Sequence, residues 1–194
     1  MGIQNLAKRA MTTKGQKACY VIDHLVQALG NEPSSSLRRA LVLVDIDETP
    51  GTTQADIMNR LDIGKSAMNR EVEWLFDYGC ITRRDSVEDA RTKTLNVCGY
   101  SKKELDAALG YFNEAENAGV STHKSLKFFL ERLIKIISVE KPSLRDAKIV
   151  STLYEKGDAD KQDVTQWLYN GPASTDNRAI NKLIEEGIVA NDEK

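Results

Sequence analysis

Between Thr53 and Val97 two short helix patterns, a glycine stop and a charged hairpin follow one another with almost no linker, so few chain paths can connect them. Thr53 with Asp56 three residues later reads as a helix N-cap, and the spacing predicts a short helix over Asp56–Leu61 with Ile57 and Leu61 facing inward. Asp62-Ile63-Gly64 turns the chain. Lys65–Tyr78 is then the next helix, with Met68, Val72, Leu75 and Phe76 on its buried face and Lys65, Ser66, Asn69 and Arg70 outside. Gly79 stands where a left-handed residue closes a helix at little cost. Cys80–Thr82 and Thr94–Val97 are expected short strands around a loop that carries Arg83, Arg84, Asp85, Glu88, Asp89, Arg91 and Lys93.

Upstream, Gln16–Leu29 shows helical spacing through Ala18, Val21, Ile22, Leu25, Val26 and Leu29, and Gly30–Pro33 with three serines forms a loop. Leu37–Val44 fits a buried helix, although its Val and Ile content also suits a strand. Pro50-Gly51 is a turn. Downstream, Ser101-Lys102-Lys103-Glu104 has the form of a capping box opening a helix toward Asn117. His123–Val139 is expected to be a long helix with Leu126, Phe129, Leu130, Leu133 and Ile137 on one stripe, widened by Phe128, Ile134 and Ile136. An apolar face that wide needs cover on more than one side, which suits a helix shared between two subunits.

Lys141-Pro142 closes this region, and Ser143–Asp146 is a second cap signal, for a helix through Tyr154 toward Gly157. Gln54–Leu61 aligns with Lys161–Leu168. Arg70, Val72, Leu75, Gly79 and Ile81 align with Arg178, Ile180, Leu183, Gly187 and Val189 after one inserted residue. A second helix-turn-helix-like unit is therefore expected from Ser143, and with Lys194 as the last residue it has room for at most a stub of a hairpin. The expected domains are 1–140 and 141–194.

The chain has 194 residues, 41% hydrophobic and 29% charged, enough for one ordinary domain or two small ones. Its apolar runs are too short to span a bilayer and its N-terminus has no secretory-type apolar stretch, so no membrane partner and a cytoplasmic location are expected. Cys19, Cys80 and Cys98 lie at no metal-ligand spacing and read as packing residues in a reducing compartment. The formal net charge of −2 does not itself favour a polyanion. Locally, however, Lys8, Arg9, Lys14 and Lys17 have no acidic neighbour before Asp23, and the hairpin gathers further cations, so an edge of the surface can meet phosphates. Catalysis finds no support: no Gly-rich phosphate loop, His-Glu-x-x-His or Cys-x-x-Cys motif occurs, and no cofactor is expected. The two histidines, His24 and His123, sit in expected helices, His24 as a helix-surface or subunit-contact residue.

In their order and spacing, the TTQADIMNRL helix, the GKSAMNREVEWL helix, the DYGCITRR turn and the SVEDARTKTLNV hairpin resemble the MarR family of transcriptional regulators, over Ile22 to about Val139. The Asp-x-Arg triplet Asp89-Ala90-Arg91 is the most discriminating match. The resemblance implies a mainly α winged helix-turn-helix with a small β-hairpin wing and long dimerisation helices, here extended by a second small winged-helix-like unit. It implies a homodimer that binds double-stranded DNA sequence-specifically and regulates transcription as a repressor. Lys65, Ser66, Asn69 and Arg70 are then expected in a major groove. Thr53 and Gln54 would lie against phosphate, or else act as ordinary capping residues. Arg91 is expected in a minor groove, held by Asp89, with Arg83 and Arg84 on phosphates and Lys93 in the same cationic edge. Leu126, Phe129, Leu130, Leu133 and Ile137 are the expected dimerisation residues. The family also implies a small phenolic or lipophilic effector that releases DNA, and some members sense peroxide through a first-helix cysteine. Cys19, near Lys14 and Lys17, is the candidate for that role, although packing is the preferred reading.

The chain departs from the family pattern in three places. Val97–Ser101 replaces a Leu-Thr-x-x-Gly continuation, Met68 and Asn69 replace β-branched and small hydroxyl residues, and the unit after Ser143 is additional. Two other readings stand beside the regulator: a replication or partition protein of a mobile element with tandem winged helices, and a winged-helix protein-interaction scaffold. In the C-terminal unit Ser174, Thr175, Asn177 and Arg178 are polar enough to touch DNA. Lys141–Lys194 nevertheless holds eight basic and ten acidic residues, so contact with a protein partner or subunit is expected there instead.

Overall fold

A computed structural model describes residues 14–86, 91–116, 126–156, 161–168 and 173–190. The chain opens with α1 (Lys14–Ala28) and α2 (Leu37–Glu48), the latter capped by the Ser36 hydroxyl, which accepts from the Arg39 amide at 3.1 Å. Leu37 and every residue from Ala40 to Ile46 are buried. A helix enclosed on all sides shows no amphipathic period, which is why its sequence also read as a strand.

Strand β1 (Thr52–Thr53) leads straight into α3 (Gln54–Leu61), and α4 (Lys65–Asp77) follows. Helix α3 begins two residues before its expected start because Thr53 is the cap. Its side chain accepts from the Asp56 amide while Asp56 accepts from the Thr53 amide. Asp62, at φ 51°, closes α3 in the left-handed region. Gly79, at φ 69°, does the same after α4, letting the Cys80 amide reach back to the Leu75 carbonyl at 2.8 Å. Nothing lies within 4 Å of a Cβ built on Gly79, so a substitution there meets only backbone strain. Gly79→Ala is expected to cost about 1 kcal/mol, read as a lower urea midpoint with unchanged slope.

Strands β2 (Ile81–Asp85) and β3 (Lys93–Val97) form the expected hairpin, with Ile81 opposite Val97 and Asp85 opposite Lys93. The sheet has a third member absent from the sequence reading: β1 pairs antiparallel with the other edge of β3, Thr52 opposite Leu95. Two residues are too few to show a strand period, and their pairing is set by chain segments more than 40 residues apart.

Helix α5 (Gly99–Glu116) corrects the Ser101 capping box. It starts two residues earlier, and Ser101 is buried, donating its hydroxyl to the Ala28 carbonyl at the end of α1 at 2.7 Å. Glu104 is also buried and lies 2.7 Å from His24 Nδ1. His24 is therefore an interior residue of the α1–α5 contact and not a helix-surface one. The expected far end of this helix, at Asn117, lies outside the described residues.

Helix α6 (Leu126–Ile136) packs on α2. Its described part begins after His123, which lies outside the described residues. Leu126, Leu130, Leu133 and Ile137 are buried within the chain and Phe129 is half-buried. These residues were expected to form the subunit seam; instead they fill the protomer's own core, because α2 supplies the second cover that the wide stripe needs. Phe128 and Ile136, 45% and 56% exposed, are the apolar residues α6 leaves at the surface.

The chain ends in α7 (Leu144–Lys156), α8 (Lys161–Trp167) and α9 (Ala173–Glu185). The Ser143 cap forms as expected, its hydroxyl accepting from the Asp146 amide while Asp146 accepts from the Ser143 amide. Helix α1 lies between α5 and α7. The starts of α2 and α7 are joined by an antiparallel bridge between Ser36 and Ser143. Among the described residues no helix is long and apolar enough to cross a membrane.

Candidate nucleic-acid interface

Helices α3 and α4 with the β2–β3 hairpin form one continuous feature. The buried face of α4 holds Met68, Val72 and Leu75, with Glu71 also inside. That polar intruder is paired: Arg39 Nε on α2 donates to Glu71 at 2.9 Å. The Arg39 guanidinium also lies 3.9 Å over the Trp74 ring, and Trp74 stacks on Tyr78 at 3.8 Å. Packing, ion pair and cation–π contact thus fix α4 against α2, and a rigid backing is what a groove-reading helix requires.

Lys65, Ser66, Asn69 and Arg70 all stand exposed on the opposite face, as the helical period predicts. The cap of α4 is Gly64, which offers no side-chain hydrogen bond, so first-turn amides point outward beside Lys65 and Ser66. Such a helix start favours an anion. Gln54, the first residue of α3, hydrogen-bonds the Asn69 side chain and so ties the two helices at the outward face. Thr53 takes the capping role, since its hydroxyl both accepts from the Asp56 amide and donates to the Asp56 carboxylate at 2.7 Å.

The hairpin divides the expected cations. Arg84 is exposed, as is Arg91 at the tip. Lys93 is exposed but ion-paired with Asp85 across the strands. Arg83 corrects its expected phosphate role: it is 2.9 Å from Glu73 and lies over the Phe76 ring at 4.4 Å, so it binds the hairpin to α4. The alternation of β2 explains this, because Arg83 faces the helix while Thr82 and Arg84 face solvent. Asp89 lies outside the described residues, and so does its expected hold on Arg91.

One supporting site had no sequence signal. Asp45 on α2 is 1% exposed and receives Arg60 Nε from α3 at 3.0 Å and Lys127 Nζ from α6 at 2.8 Å. Arg60 also donates to Thr52 of β1 at 2.8 Å. Burial pushes the Asp45 carboxyl up, but the hydrogen bonds and charges of Arg60 and Lys127 outweigh it and hold the group below the usual carboxylate value. Asp45 thereby locks α3 to the core from residues scattered over three elements, and no local motif could announce it.

Cys19 is half-buried, 3.6 Å from the Thr152 hydroxyl, and burial pushes its thiol up. A reactive thiolate needs the opposite shift, so the geometry favours packing over peroxide sensing. No group of three or more metal-ligating side chains occurs among the described residues.

Residues 36–93 match the MarR family model. Solved structures similar to the chain include the transcriptional regulator SlyA, at 18% identity and TM-score 0.36 over 60% of this chain and 77% of that one. They also include MarR, at 18% and 0.38 over 59% and 81%. A third is the PcaV transcriptional regulator from Streptomyces coelicolor in complex with its natural ligand, at 18% and 0.37 over 72% and 95%. No curated protein matches the sequence. The matched segment runs from the cap of α2 to the first residue of β3 and so contains α2, β1, α3, α4 and β2: over residues 36–93 the chain is similar to the MarR family, and these residues form the helices and first hairpin strand of a winged helix.

Proposed function

We propose that this chain binds duplex DNA sequence-specifically and regulates transcription, as a repressor that excludes polymerase from the promoter it covers. The observation that carries this reading is the outward face of α4. Lys65, Ser66, Asn69 and Arg70 project together from a helix whose other side is immobilised, next to a hairpin with Arg84 and Arg91 exposed. Asn pairs a donor with an acceptor and Arg offers two parallel donors, the groups that base edges in a major groove distinguish. Arg84 and Arg91 extend the contact to the backbone and the adjacent minor groove.

The resemblance implies two copies in the complex. With Leu126, Leu130, Leu133 and Ile137 inside the chain, a seam along α6 would draw on its exposed residues, Phe128, Arg132, Lys135 and Ile136. An effector that releases DNA belongs to the same reading.

Selection from a random duplex pool by the full chain supplies the test. A defined consensus is expected, and Arg91→Ala should weaken binding to it by about 1–3 kcal/mol without altering the melting temperature. Unchanged affinity and footprint in that variant would remove the wing from the mechanism. Failure to enrich any duplex would leave the protein-interaction scaffold, and enrichment of iterated direct repeats would favour the replication or partition reading.

A further inference from the structure

The C-terminal helices repeat the DNA-reading half of the fold at a nearly constant offset. Lys65–Asp77 shifted by 108 residues is Ala173–Glu185, so α4 and α9 correspond end to end. Shifted by 107, the starts of α2 and α3 become the starts of α7 and α8. The details recur with them. Ser143 caps α7 as Ser36 caps α2. Gly187, at φ 70°, ends α9 as Gly79 ends α4, and the Ile188 amide reaches the Leu183 carbonyl as Cys80 reaches Leu75. Where Arg39 covers Trp74, the corresponding Asp146 meets Lys182 at 3.2 Å.

The contacts between the two halves are reciprocal, as a local two-fold requires. Around the Ser36–Ser143 bridge, the Leu37 amide donates to the Pro142 carbonyl at 2.8 Å, and its counterpart Leu144 donates to Ser35 at 2.9 Å. Each unit is covered by the helix that precedes the other: α6 packs on α2, and α1 packs on α7. Even the contacts across these packings correspond, Lys127–Asp45 on one side and Cys19–Thr152 on the other. Reciprocal contact between equivalent residues is the mark of an isologous interface, here made within one chain.

The outward faces decide what this duplication is for. Ser66, Asn69 and Arg70 recur as Ser174, Asn177 and Arg178, and all six are exposed. Lys65 on the outward side becomes Ala173; of the inward positions Val72 and Leu75 recur as Ile180 and Leu183, while Met68, Glu71 and Trp74 are replaced by Asp176, Ala179 and Lys182, with Asp176 buried and paired to Arg145. Packing demands no identity on a solvent face, whereas a shared ligand does. The charge balance that argued against DNA does not separate the units either. Residues 36–97 hold nine basic and eleven acidic side chains, against eight and ten in 141–194.

We propose that α9 is a second DNA-reading helix, so that a single chain engages two half-sites of one duplex in inverted orientation. This inference rests on the proposal that α4 reads duplex DNA. A two-fold between reading helices imposes the same symmetry on the site.

The test uses the duplex that the full-length chain selects from a random pool, with hydroxyl-radical footprinting and affinity measured for three proteins. These are the wild type, Asn69→Ala with Arg70→Ala, and Asn177→Ala with Arg178→Ala, each checked for an unchanged melting temperature. An inverted repeat is expected, with each double variant losing protection over one half and binding about 10- to 100-fold more weakly. Loss of binding in the Asn69/Arg70 variant alone, with the Asn177/Arg178 variant binding and protecting as wild type, would overturn the inference, spare the proposed function and leave α9 as a protein-docking face. Loss confined to the Asn177/Arg178 variant would sustain DNA reading by α9 and remove it from α4. No selected duplex would overturn both.

Discussion

Leu130→Asp is expected to leave no cooperatively folded chain at room temperature. Leu130 is 0% exposed, in the face of α6 that packs on α2. Removing a buried leucine side chain alone costs about 2–5 kcal/mol. A carboxylate put in its place must also be desolvated without a partner or protonated, adding several kcal/mol more. Together these approach or exceed the total stability of an ordinary domain, about 5–15 kcal/mol. Circular dichroism during heating and the amide dispersion in a proton–nitrogen correlation spectrum would both show the loss. Ile136→Asp, on the exposed side of the same helix, should keep a sharp melt. The comparison separates core from seam: a folded Leu130→Asp chain that had merely become monomeric would return Leu130 to the subunit contact.

The second large effect belongs to Asp45. Asp45→Ala is expected to destabilise the chain by about 3–5 kcal/mol, because Arg60 and Lys127 converge on one buried carboxylate and lose it together. Solvent exposure of Arg60 places the result toward the lower end of that range. Asp45→Asn should cost less, since its oxygen still accepts one of the two donors. The pH dependence follows from the lowered folded-state pKa. The unfolded chain takes up this proton first, so the stabilisation is complete above the unfolded value, about pH 4, and is lost as pH falls through the folded value. Chemical denaturation at pH 7 and near pH 3 should therefore show a smaller wild-type-to-variant difference in acid. An equal difference at both pH values would mean that the Asp45 charge contributes nothing.

What the sequence disclosed was local. The Thr53–Asp56 and Ser143–Asp146 caps and the Gly79 stop are each set by neighbouring residues, and each occurs where its pattern places it. The outward face of α4 was legible for the same reason, since Met68, Val72 and Leu75 fix which side is inside. Long-range partners were not legible. Ser101 and Glu104 have the spacing of a cap, but Ala28 and His24, more than 70 residues away, claim both side chains. Arg83 is one more hairpin cation in the sequence and becomes a brace only when β2 turns it toward Glu73 and Phe76. The stripe on α6 correctly announced a second covering surface. Whether that surface belongs to another copy or to α2 is a matter of chain path, which amphipathic periodicity does not encode.

The most direct test of the proposed DNA reading by α4 is a photo-crosslink from position 66. A benzophenone side chain there, in place of the exposed Ser66 at the start of α4, leaves the buried face of the helix untouched. With the selected duplex bound, crosslinks are expected at bases in the major groove that α4 occupies, and Asn69→Ala with Arg70→Ala should abolish those crosslinks and weaken specific binding about 10- to 100-fold. A duplex that binds as tightly as to the unmodified chain, yet yields no crosslink from position 66 and is unaffected by the Asn69 and Arg70 changes, would contradict a groove-reading role for α4.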